Sequence, residues 1–254
     1  MSSRPMTVPH TTEPAPATRG APLPAELIAV RHGQSTANAA FAEAERTGAL
    51  TVPITDRDAD LPLTILGHAQ AAAAGRRIAL HPPDLVYCSP YRRTRETLAA
   101  ILGTLSESGA AVPTVRYDER LRDRDTGSWE MLTTARLRRD HPQEMARRDH
   151  VGPFYFRPPC GENFPDVALR VRSLLHDALP AAEGRRLLIV AHDAVVLMLR
   201  LILDELDEQS LSRVVDAGGV VGNCTLTRWV SDGSRLRLAD YNDADHLRNL
   251  AAAA

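Results

Sequence analysis

Short apolar runs alternate with longer segments of helical periodicity along most of this chain. Helical periodicity is found at residues 35–46, 66–80, 91–105, 167–179 and 193–203. Four segments between them predict buried or half-buried strands, because they are short and rich in β-branched and aliphatic residues. These segments are ELIAVRH (26–32), DLVYCS (84–89), TVRYDERL (114–121) and LLIVAH (187–192).

The end of the chain follows a different pattern. The segments CTLTRWV and SRLRLADYN alternate with period two around a short polar stretch with the sequence Asp-Gly-Ser, which is typical of a β-hairpin. Strands that alternate with helices predict an α/β fold with a mostly parallel sheet. With no internal repeat and no domain boundary in view, residues 25–250 are interpreted as one domain.

Three segments interrupt this pattern. Residues 1–24 are rich in Pro, Ala and Thr without a continuous apolar stretch, which predicts a disordered tail and no signal peptide. Residues 52–63 predict a loop, and residues 133–159 are Arg-rich and irregular. The longest apolar stretch, 187–203, contains His192, Asp193 and Arg200, so a strand followed by a helix explains it better than a membrane span.

Composition narrows the possible functions. The 254 residues are 44% hydrophobic and carry a formal charge of −2, which predicts neither a nucleic-acid nor a membrane partner. All 30 basic residues are arginine. The absence of lysine excludes a Walker A loop and Schiff-base chemistry, and it leaves guanidinium groups to bind any phosphate. The three cysteines form no C-x-x-C pair, which argues against disulfides and structural zinc and favours a reducing, cytoplasmic location.

Two of the predicted strands end in histidine, at His32 and His192. Ligands of open parallel sheets bind at the carboxyl ends of strands, so we expect both imidazoles at one site. Arg31, His32 and Gly33 also precede a predicted helix, whose N-terminus attracts anions. Alone, however, a histidine in such a tripeptide is more often structural than catalytic.

The wider context carries a specific resemblance. RHGQSTAN (31–38) closely resembles the R-H-G-x-S/T-x-x-N signature of the histidine phosphatase (phosphoglycerate-mutase-like) superfamily. Six further segments are similar to motifs of that family in the same order. They are LTILGHAQA (63–71), VYCSPYRRTRET (86–97), RLRDRDTGSWE (120–130), GENFPDVALRV (161–171), IVAHDAVV (189–196) and GNCTLT (222–227).

The resemblance implies a three-layer α/β sandwich and a hydrolase that needs no cofactor or metal. It implies that His32 attacks phosphorus to give a phosphohistidine, while Arg31, Arg93 and His192 stabilise the transferring oxygens. Further phosphate contacts are expected from the first helix and from the residue after the second histidine: Gln34, Ser35, Asn38 and Asp193. For Ser35 a capping role is as plausible as phosphate binding, and for Asp193 capping of the following helix is favoured.

The family's proton donor corresponds to Asp123, where glutamate is more usual. Asp125 and Glu130 are rival acids. Residues from about 130 to 160 are expected to cap the site, and Phe154, Tyr155 and Phe156 could line it.

Several functions remain open. The leading hypothesis is a phosphatase of a small phosphorylated metabolite. A phosphoglycerate-mutase-type phosphotransferase and a non-catalytic binder of phosphorylated ligands are alternatives. A zinc hydrolase is disfavoured because two arginines would repel the cation and the sequence shows no third ligand. The sequence identifies neither the ester nor the oligomeric state.

Overall fold

A computed structural model describes residues 22–218 and 221–251 of the chain. Its centre is one six-stranded sheet of order β3-β2-β4-β1-β5-β6. The strands are β1 (Glu26–Arg31), β2 (Leu85–Cys88), β3 (Thr114–Tyr117), β4 (Arg186–Ala191), β5 (Leu226–Ser231) and β6 (Leu236–Asp243). The first four in chain order pair in parallel, whereas β5 is antiparallel to both β1 and β6. The prediction of a mostly parallel sheet that ends in a hairpin is confirmed.

Helices cover both faces of the sheet, as expected for a three-layer α/β fold. They are α1 (Thr36–Thr47), α2 (Ile65–Ile78), α3 (Arg92–Glu107), α4 (Thr134–Asp140), α5 (Pro142–Val151), α6 (Phe164–Ala181), α7 (Asp193–Leu203), α8 (Glu208–Gly218) and α9 (Arg248–Ala251). Among the described residues, no helix is both long and apolar enough to cross a membrane.

The two faces of β1 and β4 bury different side chains because successive residues of a strand point to opposite sides. Leu27 and Ile189 pack with α6 and α7 in the larger apolar cluster. Ile28 and Val190 pack with α2 and α3 in the other cluster. This burial on both faces explains why the strands are continuous apolar runs in the sequence.

The register of the central pair brings the two histidines together. Arg31 of β1 lies opposite Ala191 of β4, so His32 and His192 leave the sheet side by side. The backbone N–H of His32 continues the pairing with a 3.0 Å hydrogen bond to the carbonyl of Ala191. The carboxyl edge of the sheet therefore positions both imidazoles, as the sequence predicted.

A close crossing of two glycines fixes the loop that carries His32. A Cβ on Gly33 would lie 2.4 Å from the carbonyl oxygen of Gly67, and a Cβ on Gly67 would lie 2.1 Å from that of Gln34. The first turn of α2 thus rests directly on the loop after β1. Only glycine allows the two backbones to approach this closely.

The structure corrects two expectations about the second half of the chain. Residues 133–159 are not irregular, because they contain α4 and α5, the latter with Pro142 in its first turn. Helix α8 was not predicted from the sequence. Most of the predicted disordered tail, residues 1–21, lies outside the described residues.

Candidate active site

His32 lies in the loop between β1 and α1 and is only 2% exposed. Its Nδ1 lies 2.8 Å from the carbonyl oxygen of Gly33. A carbonyl can only accept, so Nδ1 must donate and Nε2 keeps its lone pair. Burial lowers the pKa of His32 well below its ordinary value, and the neighbouring His192, Arg93 and Arg31 lower it further. The imidazole is therefore held neutral, with Nε2 available for nucleophilic attack.

Arg93 lies in the first turn of α3, with its guanidinium over the nucleophilic nitrogen. Its Nε donates to Nε2 of His32 over 3.2 Å. Asp58, from the loop before α2, binds the two terminal nitrogens with both carboxylate oxygens, at 3.1 and 2.9 Å. Asp123 accepts a further bond of 3.0 Å. Burial alone would lower the pKa of Arg93, but the carboxylates of Asp123 and Asp58 raise it above the ordinary value. The guanidinium of Arg93 therefore stays positively charged.

Arg31, at the end of β1, contacts residues on the other side of the site. It donates to the carbonyl of Val221 over 2.6 Å and lies 3.8 Å from a carboxylate oxygen of Asp193. Its Nε is buried and has no hydrogen-bond partner within the described residues. A buried donor without a partner is unfavourable, so this atom favours a bound acceptor.

His192 is the second buried imidazole, with its ring centroid 5.1 Å from that of His32. Its Nε2 lies 2.9 Å from the hydroxyl of Ser89, which can donate to it when Nδ1 carries the proton. Nδ1 lies 3.3 Å from Asp123 but makes no hydrogen bond in the described part of the chain. Burial lowers the pKa of His192, so the ring is a neutral donor with Nδ1 directed at the site.

Of the three candidate acids, Asp123 lies at the centre of the site. One of its oxygens contacts both Arg93 and His192. Burial would raise its pKa, but His192, Arg93 and His32 together hold it well below the ordinary value. Asp125 is exposed and accepts from the N–H of Gly127. Glu130 accepts from the N–H of Asp58 at the rim, so both rivals have local structural partners instead.

Two residues of the first helix support the site in different ways. Ser35 is the N-cap of α1, and its hydroxyl accepts from the N–H of Asn38. The Asn38 side-chain oxygen accepts from Ser35 N and from the amide of Asn223. Its own NH₂ group therefore remains a donor on the cavity wall. Ser35 thus caps α1 and also lies in the cavity lining, so its contact with phosphate stays a prediction.

The structure overturns the expectation for Gln34. Its side-chain oxygen accepts a 2.8 Å bond from the Thr64 hydroxyl, and its backbone is bound to α2 through Thr64 and Gln70. This contact directs the side chain away from the cavity, which Gln34 does not line.

Asp193 binds the first turn of α7, although not from the N-cap position: its carboxylate accepts from the backbone N–H of Ala194 over 2.8 Å. Residue His192 is the N-cap of α7, and Asp193 is the first residue inside the helix. Asp193 lies in the cavity wall opposite Arg31, where it narrows the site.

Sequence reasoning missed three residues that position the site: Asp58, Ser89 and Asn223. Asp58 holds Arg93, Ser89 holds His192, and the Asn223 amide donates to the carbonyl of His32 over 3.0 Å. Ser89 and Asn223 lie within segments that resemble family motifs, which is a signal that could have found them. Asp58 lies in a polar loop without any such signal.

These groups surround a cavity of about 360 Å³, into which Arg31, His32, Arg93, Asp123 and Asn38 project. The cavity is large enough for a phosphate group and part of a small molecule. Its donors converge on one point from β1, α1 and α3, which suits an oxyanion with several oxygens.

The site also contains a third potential metal ligand, which the sequence reading lacked. Atoms of His32, Asp123 and His192 lie within 4.8 Å of one another. Arg93, however, donates hydrogen bonds to both His32 and Asp123 at this point. A fixed guanidinium competes with a cation for the same lone pairs, so the donor set fits an anion better than a metal ion.

Comparison with known proteins agrees with this geometry. Residues 27–244 match the sequence model of the histidine phosphatase superfamily (branch 1). A 2,3-bisphosphoglycerate-dependent phosphoglycerate mutase 2 of Gloeobacter violaceus is 31% identical over 193 residues, which cover 74% of this chain and 80% of the relative. A glucosyl-3-phosphoglycerate phosphatase of Mycolicibacterium vanbaalenii is 29% identical over 227 residues, 86% of each chain.

A solved structure of a mycobacterial glucosyl-3-phosphoglycerate phosphatase with VO3 superposes with a TM-score of 0.63. It is 28% identical, and the match covers 85% of this chain and 98% of that one. The family match over residues 27–244 includes all six strands except Glu26 of β1, and every residue that lines the first cavity. On this evidence the chain belongs to the histidine phosphatase superfamily, branch 1.

Proposed function

We propose that this protein is a metal-independent phosphatase that hydrolyses a small phosphorylated metabolite through a phosphohistidine on His32. The observation that carries the proposal is the 2.8 Å bond from Nδ1 of His32 to the Gly33 carbonyl. It fixes the tautomer that leaves Nε2 unprotonated inside a cluster of anion-binding donors.

In the first step, Nε2 of His32 forms a bond to phosphorus while the bond from phosphorus to the ester oxygen breaks. Arg31, Arg93 and the Nδ1–H of His192 donate to the three transferring oxygens, whose charge they stabilise in the transition state. The phosphate takes over the contact that Arg93 makes with Nε2, which frees the lone pair for attack.

Asp123 supplies the proton for the leaving alkoxide. Its pKa is low because it faces His192, Arg93 and His32. A phosphate dianion that draws these donors to itself would raise the pKa of Asp123, since a nearby negative charge favours the neutral acid. Asp123 thus becomes protonated when the substrate binds, and it then gives this proton to the leaving alkoxide.

In the second step, hydrolysis of the phosphohistidine, Asp123 acts as a base instead of an acid. A water molecule in the place of the departed alcohol attacks phosphorus and transfers a proton to the Asp123 carboxylate. The bond from phosphorus to Nε2 breaks, and inorganic phosphate leaves with His32 again neutral.

A mutase is the second candidate, because the similar protein of Gloeobacter violaceus is a phosphoglycerate mutase. A mutase returns the phosphate to a bound phosphoglycerate and must exclude water. The segment after Trp129 is expected to be too short for the insertion of the family's mutases, which favours the phosphatase. A non-catalytic binder is disfavoured because all the reactive groups are present.

The experiment measures phosphate release from p-nitrophenyl phosphate and from a panel of sugar, polyol and nucleotide monophosphates, with excess EDTA. Wild type is compared with His32→Ala, and with His68→Ala as a control at an exposed position. We expect chelator-resistant release that falls at least 1000-fold in His32→Ala only, and an acid-labile phosphoryl group on a His32 peptide after rapid quenching.

Two results would overturn the proposal. Activity within tenfold of wild type in His32→Ala would remove the nucleophile assignment. Phosphate release that needs 2,3-bisphosphoglycerate, with 2- and 3-phosphoglycerate interconverting faster than either is hydrolysed, would identify a mutase.

A further inference from the structure

A second cavity of about 590 Å³ adjoins the candidate active site. Arg124, Thr126, Trp129, Phe164, Asp193 and Leu197 line both cavities, so the two share a wall and are adjacent. Helices α4, α5 and α8 and the segment between α5 and α6 form the far side. A group attached to a phosphate at His32 would therefore leave the first cavity toward the second.

The walls of the second cavity are mainly apolar and aromatic. Trp129 packs on Phe156 with ring centroids 5.1 Å apart, and Phe154 stacks on Phe164 at 5.9 Å. Aromatic residues make up only 4% of the chain, yet all four of its phenylalanines line one of the two cavities. The fourth is Phe41, in the wall of the first cavity. This concentration of rings beside the site points to a ligand with an apolar surface.

The charged groups of the second cavity balance one another. Arg124 and Arg148 face Asp193 and Asp216 in its lining. Arg124 is further committed, because it donates to the Glu162 carbonyl and lies over the ring of Phe164 at 5.0 Å. Two cations matched by two anions give no preference for a charged alcohol. The lining of the first cavity also contains acidic residues, and its preference for an anion comes from the donors of Arg31, Arg93 and Asn38 around His32.

We propose that the substrate is a phosphate monoester whose alcohol carries an aromatic or bulky aliphatic group, which binds in the second cavity while the phosphate binds at His32. This inference rests on the proposed phosphatase function and specifies its substrate class. Burial of the apolar group stabilises both bound substrate and transition state, so it raises kcat/KM mainly through a lower KM.

The test compares 4-phenylbutyl phosphate with n-butyl phosphate. Both esters release a primary alcohol of similar reactivity, so the ring is the main difference between them. We expect kcat/KM of wild type to be at least tenfold higher for the phenylbutyl ester. Phe154→Ala should reduce this ratio to threefold or less, because Phe154 lines the second cavity and not the first.

Two further variants secure the result. Val215→Asn tests the wall contributed by α8 and should also reduce the ratio, should Phe154→Ala not fold. Tyr117→Ala removes an exposed aromatic ring of β3 that lines neither cavity, and it should leave the ratio at the wild-type value.

A ratio near one in wild type, or a higher kcat/KM for glycerol phosphate than for the phenylbutyl ester, would overturn this inference. If His32-dependent hydrolysis of p-nitrophenyl phosphate persists in that case, the proposed function stands and only the substrate class is wrong. If no ester is hydrolysed in a His32-dependent reaction, both proposals fall together.

Discussion

Nε of Arg93 donates a hydrogen bond to Nε2 of His32 across 3.2 Å. The guanidinium that is expected to hold the phosphate thus contacts the nitrogen that is expected to attack it. This contact orients the lone pair of His32 toward the anion position and disfavours its protonation. It also makes the position of Arg93 important for both binding and chemistry.

Arg93→Lys should reduce kcat/KM for p-nitrophenyl phosphate by about 100-fold or more. Lysine keeps one charge but loses the planar fork and the Nε that reaches His32. Steady-state kinetics measure the loss, and inhibition by inorganic phosphate should weaken in parallel. Arg92→Lys is the matched control, because Arg92 is an exposed neighbour that pairs with Glu96 on the surface. An equal loss in both variants would show that the helix, and not the contact with His32, is at fault.

Asp123→Asn should slow the hydrolysis of alkyl phosphates far more than that of p-nitrophenyl phosphate. An amide cannot supply the proton that a poor leaving group needs, whereas p-nitrophenolate departs without much protonation. The loss in kcat/KM should be at least tenfold larger for the alkyl phosphate than for p-nitrophenyl phosphate. Asp125→Asn serves as the control and should change both esters little. A uniform loss on both esters in Asp123→Asn would move the acid role to another residue.

The buried histidines should make the protein less stable in mild acid. The pKa values of His32 and His192 are lowered by burial, so the unfolded chain binds more protons than the folded protein once the pH falls below the ordinary value of 6.5. Each such group lowers the free energy of unfolding by up to about 1.4 kcal/mol per pH unit below that point.

Urea unfolding at pH 7.5 and 5.5 measures the effect. His32→Asn removes one titrating group and should lose less stability than wild type between these two pH values. The exposed His68→Asn should lose as much as wild type. Asp123 does not contribute in this range, because its lowered pKa affects stability only below its ordinary value of 3.8. Equal losses in wild type and His32→Asn would contradict the prediction.

Gly67→Ala should lower both stability and activity. The added Cβ would meet the Gln34 carbonyl at 2.1 Å and push α2 off the loop that carries His32. We expect a loss of about 1–3 kcal/mol in the free energy of unfolding, as for other overpacked sites, and a fall in kcat. Gly103→Ala is the control within α3, where a Cβ meets nothing within 4 Å. That change should stabilise by about 0.5–1 kcal/mol, since alanine is the better helix former. If Gly67→Ala changes neither the free energy of unfolding nor kcat, the two backbones at the Gly33–Gly67 contact can move apart without cost.

The sequence predicted the core of the site because the chemistry there follows the sheet. Arg31, His32 and His192 are placed by two buried strands whose apolar runs are unmistakable, and Arg93 follows from its motif. Asp123 was the preferred acid, and the structure brings it to the same point. The strand-end positions follow from periodicity, which a single sequence displays, whereas Arg93 and Asp123 were predicted from the family resemblance.

The rest depends on tertiary contacts that no local pattern encodes. Gln34 was expected at the phosphate, but Thr64, thirty residues away, binds its side chain. Asp193 was expected at the N-cap of α7, but it is the first residue inside the helix, and it also lies in the cavity wall opposite Arg31. Helices α4 and α5 were missed because their high density of arginine obscures the few apolar positions, of which Leu137 and Met145 are buried.

The wall shared by the two cavities divides the enzyme into parts with different tolerance for change. The anion-binding groups come from the sheet edge and α1–α3, where the two histidines, the arginines and the Gly33–Gly67 crossing leave little freedom. The adjoining cavity is built from α4, α5, α8 and the segment between α5 and α6, whose backbone lies mostly away from the strands. If this cavity binds the alcohol as proposed, substitutions there should change the preferred ester and leave the groups around His32 in place. A library of variants that changes only residues of this second cavity is therefore the one to screen first for activity on a new ester.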